Sequence, residues 1–120
     1  MATGSATTLE ITTRVADGVT LVDLAGRINI GEASDKLSAE FDHILAAGAR
    51  KIVVNLSAVR AVDSTGISMI VKIFLALSQG GGKFALVGLE GRVHEAFRLT
   101  GLLSVIPHFP DEAAALASLR

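Results

Sequence analysis

The sequence predicts an α/β domain: a mixed, mostly parallel sheet of four to five strands, with an antiparallel hairpin at its N-terminal edge and about four helices. Three observations carry this expectation. Half of the 120 residues are apolar, enough to bury a substantial core in a chain of this size. Segments of period two or of continuous apolarity alternate with segments of helical period. The connections between them are short, so parallel strands joined through helices by right-handed crossovers are the expected topology. The domain is expected to span residues 9–120, with residues 1–8 as a frayed lead-in.

From Leu9, apolar and polar residues alternate. Leu9, Ile11, Thr13 and Val15 share one side and Glu10, Thr12 and Arg14 the other, the pattern of a half-exposed edge strand. Asp17-Gly18 is a hairpin signal because Gly tolerates positive φ, and Val19 to Ala25 supplies the antiparallel partner. After Gly26 the period becomes helical, with Ile30, Ala33, Leu37, Phe41, Ile44 and Leu45 inward and Ser34, Asp35, Lys36, Glu40 and Asp42 outward. Asn29 and Glu32 have capping-box spacing, and Gly48 ends the helix. Lys51 to Leu56 is β-branched and almost continuously apolar, as a central strand covered on both faces should be.

Ser64 is placed to cap a second helix, with Ile67, Ile70, Val71, Phe74 and Leu75 on its buried face and Gly80-Gly81-Gly82 at its end. Phe84 to Leu89 reads as another buried strand, and Val93 to Thr100 as a short helix closed by Gly101. Leu102 to Ile106 is expected to contain a brief strand, and Asp111 to Leu119 the last helix.

Composition removes several function classes. Eleven basic residues against twelve acidic ones, with no block of like charge, argue against a general binder of nucleic acid or anionic membranes. The absence of cysteine excludes disulfides and thiol catalysis, and three scattered histidines (His43, His94, His108) argue against a zinc site. The longest apolar run, Phe84 to Leu89, falls far short of the roughly 18–20 residues that cross a bilayer. The first residues lack the basic start and apolar stretch of a secretory signal, so a cytoplasmic protein is expected. Gly80 to Lys83 lacks the Ser or Thr and the following helix of a phosphate loop, and His94-Glu95 lacks the second His of a zinc-protease helix.

Sites in open α/β sheets lie at the carboxyl ends of the parallel strands, where loops and helix N-termini converge. Two segments are therefore expected to be spatial neighbours: Gly26 to Asn29, and Asp63-Ser64-Thr65-Gly66. Ser64 reads first as a helix cap. A phosphate on it would sit at the positive end of the helix, where free N–H groups and the macrodipole favour anions. Gly66 gives up helix propensity at N2 and leaves backbone open to approach. Ser64 has no local base of a hydrolase motif. Arg27, Arg60, Lys72, Arg92 and Arg98 are scattered in sequence, and only Arg27 sits on the segment facing Ser64.

Leu24-Ala25-Gly26-Arg27-Ile28-Asn29, Ile52 to Ser57, Val62-Asp63-Ser64-Thr65-Gly66-Ile67, Gly81-Gly82-Lys83 through Leu86-Val87, and Val93 to Leu102 extend over nearly the whole chain. In these segments the sequence resembles the STAS family, and within it the stand-alone bacterial anti-sigma-factor antagonists. The resemblance implies the STAS fold and a partner switch. The unmodified antagonist binds an anti-sigma factor that is also a serine kinase of the ATPase type, releasing the sigma factor. Phosphorylation breaks the complex, and a metal-dependent serine phosphatase restores the binding form. Ser64 would be the phosphoacceptor, with Thr65 the second choice. Arg27, Asn29, Asp63, Ser64, Thr65, Gly66 and Ser68 would form the contact surface.

Such a protein is substrate and ligand, not catalyst, and needs no cofactor. The family often has Asp where this chain has the uncharged Asn29. A homodimer is left open. STAS domains also serve as non-switching scaffold subunits of signalling, lipid-transport or anion-transport assemblies, a reading in which partner binding ignores Ser64. An enzyme or nucleotide binder would instead show a concave pocket between the two segments.

Overall fold

The alternating N-terminal segment forms β1 (Leu9–Ala16), which turns through Asp17 (φ 54°) and Gly18 (φ 75°) into β2 (Val19–Ile28). Two successive positive φ values match the turn to the twist of the paired strands. The computed structural model describes residues 9–29 and 31–119; the expected lead-in, Ile30, expected to face inward, and Arg120 lie outside the described residues. The chain continues through α1 (Glu32–Ala46), β3 (Lys51–Val62), α2 (Ser64–Gln79), β4 (Lys83–Val87), α3 (Gly91–Leu99), a 3-10 turn (Leu102–Ser104), β5 (His108–Phe109) and α4 (Glu112–Leu119).

The sheet order is β1-β2-β3-β4-β5, with β1 antiparallel to β2 and the remaining pairs parallel. β1 is an edge and β3 is central, as expected. Because the parallel strands follow one another in sequence order, every right-handed crossover falls on the same side of the sheet. Leu37 and Phe41 of α1, Ile70 and Ile73 of α2, and Val93 and Phe97 of α3 accordingly share one core with Val22, Leu24, Ile52, Val54, Phe84 and Leu86. α4 covers the opposite face, packing Ala115 and Leu119 on Val19, Leu21, Val53, Ala85 and Val87. Its start is capped by Asp111, whose carboxylate accepts from the Ala114 N–H at 2.9 Å.

Several local expectations are corrected. α1 begins at Glu32 with Gly31 as N-cap and no side-chain cap, so the Asn29–Glu32 capping box does not form. β2 ends only at Ile28, which leaves Asn29 two positions short of the cap; its carbonyl accepts from the Ser34 N–H instead. Ser34 faces inward, 5% exposed, with its hydroxyl donating to the Gly31 carbonyl at 3.0 Å. α2 buries Gly66, Ile70, Ile73 and Leu77, while Leu75 is 46% exposed. That helix is apolar around most of its circumference, so packing rather than period chooses its inner face.

Leu102 to Ile106 contains no strand. The N–H groups of Val105 and Ile106 both donate to the Leu102 carbonyl, so they are satisfied locally and unavailable to the sheet. The short pairing strand lies after Pro107. β4 also stops at Val87 rather than Leu89.

Candidate functional site

The carboxyl ends of β2 and β3 meet because β3 is twice as long as its sequence suggests. Asp23 pairs with Asn55 but Ala25 with Ala58, and Gly26 pairs with Val59 but Arg27 with Ala61. Each shift inserts an extra residue into β3, and in the second that residue is Arg60. Bulges of this kind bend a strand and re-aim its side chains. They also interrupt the apolar pattern, which is why the strand reads as ending at Leu56. The Asp63 N–H donates to the Ile28 carbonyl at 3.1 Å, tying together the two segments expected to be neighbours.

The same junction starts α2. Asp63, with extended φ/ψ (−99°, −178°), is its N-cap, and the carboxylate accepts from the Gly66 N–H at 2.8 Å. Ser64 is therefore the first helical residue rather than the cap, and Gly66 lies at N3 rather than N2. A capping residue has non-helical φ/ψ, whereas Ser64 is already helical. Ser64 is exposed, and its hydroxyl has no hydrogen-bond partner among the described residues. Thr65 is half-buried, and Ser68, one turn further along the same helix face, is exposed.

Gly66 is buried, not open to approach. A Cβ there would lie 2.6 Å from the Ile28 carbonyl oxygen, 2.7 Å from Ile28 Cγ2 and 2.8 Å from Val62 Cγ2. Only a hydrogen lets the first turn of α2 rest directly on the ends of β2 and β3.

A groove of about 540 Å³ runs along this junction, bordered by Arg27 and Asn29 from the end of β2, Arg60 and Asp63 from the end of β3, and Arg92 from the first turn of α3. Of the expected contact residues, Arg27, Asn29 and Asp63 line it, whereas Ser64, Thr65, Gly66 and Ser68 continue along α2 beside it. Arg60 and Arg92 join them although in sequence they are merely two of several scattered cations. The broken strand period before Arg60 was the one available signal. Three guanidinium groups and one carboxylate make the groove positive. Among the described residues, no cluster of three or more His, Asp or Glu side chains could hold a metal ion.

The shifted ionisations lie elsewhere. On the α4 side of the sheet, Arg14 donates to Asp23 at 2.8 Å and also pairs with Glu112. That hydrogen bond holds the Asp23 carboxyl below its usual range, assisted by Asn55, and raises the Arg14 guanidinium.

A family model described as the STAS domain matches residues 10–115. The chain belongs to the STAS domain family. This STAS domain is 28% identical over 112 residues to BtrV of Bordetella bronchiseptica, provisionally named an anti-sigma factor antagonist, covering 93% of this chain and 96% of that one. The anti-sigma F factor antagonist of Paenibacillus polymyxa is 28% identical over 104 residues, covering 86% and 88%. The crystal structure of a Thermotoga maritima protein, provisionally named an anti-sigma factor antagonist, superposes with a TM-score of 0.86 at 29% identity, covering 92% of this chain and 94% of the other. The relatives are thus proteins of nearly the same extent, and the α/β architecture is that of the family. No helix among the described residues is long and apolar enough to cross a membrane.

Proposed function

We propose that this STAS domain is an anti-sigma-factor antagonist, and that phosphorylation of Ser64 switches off its binding to an anti-sigma factor that is also a serine kinase. The observation that carries the reading is the division of labour at the start of α2. Asp63 caps the helix, so Ser64 is left exposed with an unengaged hydroxyl. The names of the relatives support the antagonist half of the reading.

In the switch, the Ser64 Oγ takes the γ-phosphoryl group of ATP on the kinase, a kinase base accepts the hydroxyl proton, and ADP leaves. A serine phosphatase later hydrolyses the ester with water, giving back the hydroxyl and inorganic phosphate. The phosphate adds a charge of about −1.5 to −2 where the free N–H groups and dipole of α2 tolerate it. The fold therefore persists while the docking surface changes. Thr65, being half-buried, is the poorer acceptor.

The test is affinity capture from the native host with wild type, Ser64→Ala and Ser64→Asp in parallel. Wild type and Ser64→Ala should retain an ATPase-type serine kinase that Ser64→Asp loses, and the kinase should phosphorylate wild type but not Ser64→Ala. Equal retention by all three baits, above all of transport subunits, would make the protein a fixed scaffold and end the switch reading.

A further inference from the structure

Of the six arginines among the described residues, three have partners within the chain. Arg14 pairs with Asp23 and Glu112, Arg98 pairs with Glu95, and Arg50 donates to the Gly80 carbonyl at 2.7 Å. The other three are Arg27, Arg60 and Arg92. Each is exposed, none has an ion-pair or hydrogen-bond partner among the described residues, and all three border the same groove. They arrive from β2, from the bulge of β3 and from α3. Gathering three like charges around a single carboxylate, Asp63, leaves a net repulsion that opposes folding, so the internal architecture gains nothing from it.

We propose that this groove receives an acidic segment of the protein partner, and that a phosphate on Ser64 releases the segment by cancelling the groove's charge. Guanidinium forks match carboxylates in bidentate geometry. The groove has a volume of about 540 Å³, far more than one small anion fills. No aromatic side chain lines it, so a nucleobase would find nothing to stack on. The whole chain carries a net charge of −1, which disfavours an extended polyanion such as nucleic acid while leaving the local field intact.

Three arginines and Asp63 give the groove a formal charge of +2. A phosphoserine beside Asp63, at about −2, brings this region close to neutral. Asn29 at the rim keeps a further negative charge out. The second half of the proposal rests on Ser64 as the phosphoacceptor; the first half does not.

The experiment titrates the full isotope-labelled chain with an eight-residue glutamate peptide, an uncharged Gly/Ser peptide of equal length and inorganic phosphate, following Asn29, Arg60, Asp63, Arg92 and the arginine side-chain N–H signals. The glutamate peptide should move these signals and the uncharged peptide should not. Arg60→Gln and Arg92→Gln should each weaken the peptide about fivefold, Asn29→Asp and Ser64→Asp should weaken it too, and roughly 0.5 M salt should abolish it. Peptide binding that is indifferent to Arg60→Gln and Arg92→Gln, or inorganic phosphate binding at the same signals as tightly as the peptide, would overturn the proposal. Sensitivity to the arginines without sensitivity to Ser64→Asp would keep the docking groove and remove its control by phosphate. Loss of the captured kinase with Ser64→Asp, together with no peptide binding, would keep the switch and remove the groove.

Discussion

Two arginine-bearing regions of the molecule use the same side chain in opposite ways. On the α4 side of the sheet, Arg14 is clamped by Asp23 and Glu112, and Asp23 also accepts from the Asn55 side chain at 3.1 Å, so one polar network ties β1, β2, β3 and α4 together. At the carboxyl ends of the strands, Arg27, Arg60 and Arg92 share a groove with a single carboxylate, Asp63, and none of the three forms an ion pair among the described residues. A charge that holds the fold comes with its counter-charge from the same chain. A charge left uncompensated is available to something outside it.

The groove's three arginines are unpaired among the described residues, yet the backbone beneath them is fixed tightly, and the largest expected effect tests that contrast. Gly66→Ala forces a Cβ against the Ile28 carbonyl oxygen at 2.6 Å, and it should cost about 3 kcal/mol in denaturant unfolding while displacing the start of α2. Asp63→Ala removes the α2 cap and should cost about 1 kcal/mol, whereas Ser64→Ala should stay within about 0.5 kcal/mol of wild type. Thermal or chemical unfolding of the pair would show the reverse order if Ser64 were the cap.

Arg14→Ala should cost about 0.5–1 kcal/mol, the range for partly exposed ion pairs, and should also alter the acid limb of stability. The folded Asp23 carboxyl titrates below its unfolded value because it accepts from Arg14. Its contribution is therefore fully present above the unfolded aspartate value, near pH 4, and is lost as pH falls through the lower, folded one. In Arg14→Ala that acid-dependent loss should shrink, as unfolding curves collected between about pH 5 and pH 2 would show. The smallest effects belong to the groove: Arg27→Gln, Arg60→Gln and Arg92→Gln should each leave stability within about 0.5 kcal/mol. A loss of 2 kcal/mol or more in any of them would make that arginine structural and break the comparison.

Much of this arrangement was legible in local sequence. Asp17-Gly18 marks its hairpin because backbone preference at a two-residue turn is a local property. Lys51 to Leu56 declares a buried strand by composition, and the neighbourhood of Arg27, Asn29 and Asp63 follows from a general rule about strand ends. What misled was equally specific. Ser64 and Asp63 are adjacent capping types, and letters alone do not say which is still extended when the helix begins. Leu75 and Ile73 are equally apolar, so the inner face of α2 could not be read from its period. Arg60 fell beyond the apparent end of its strand because the bulges broke the alternation.

By itself, then, the sequence determined the order and type of the main elements, the edge hairpin, the central strand and the end of the sheet where a site should lie, since each follows from short-range period and turn chemistry. Only the tertiary structure decided that Asp63 caps α2 in place of Ser64, that Gly66 is the contact between helix and strands, and that Arg27, Arg60 and Arg92 share one groove. Those outcomes depend on the register of β3 against β2 and on the crossover that brings α3 alongside, which join residues far apart in the chain through geometry that no local pattern encodes.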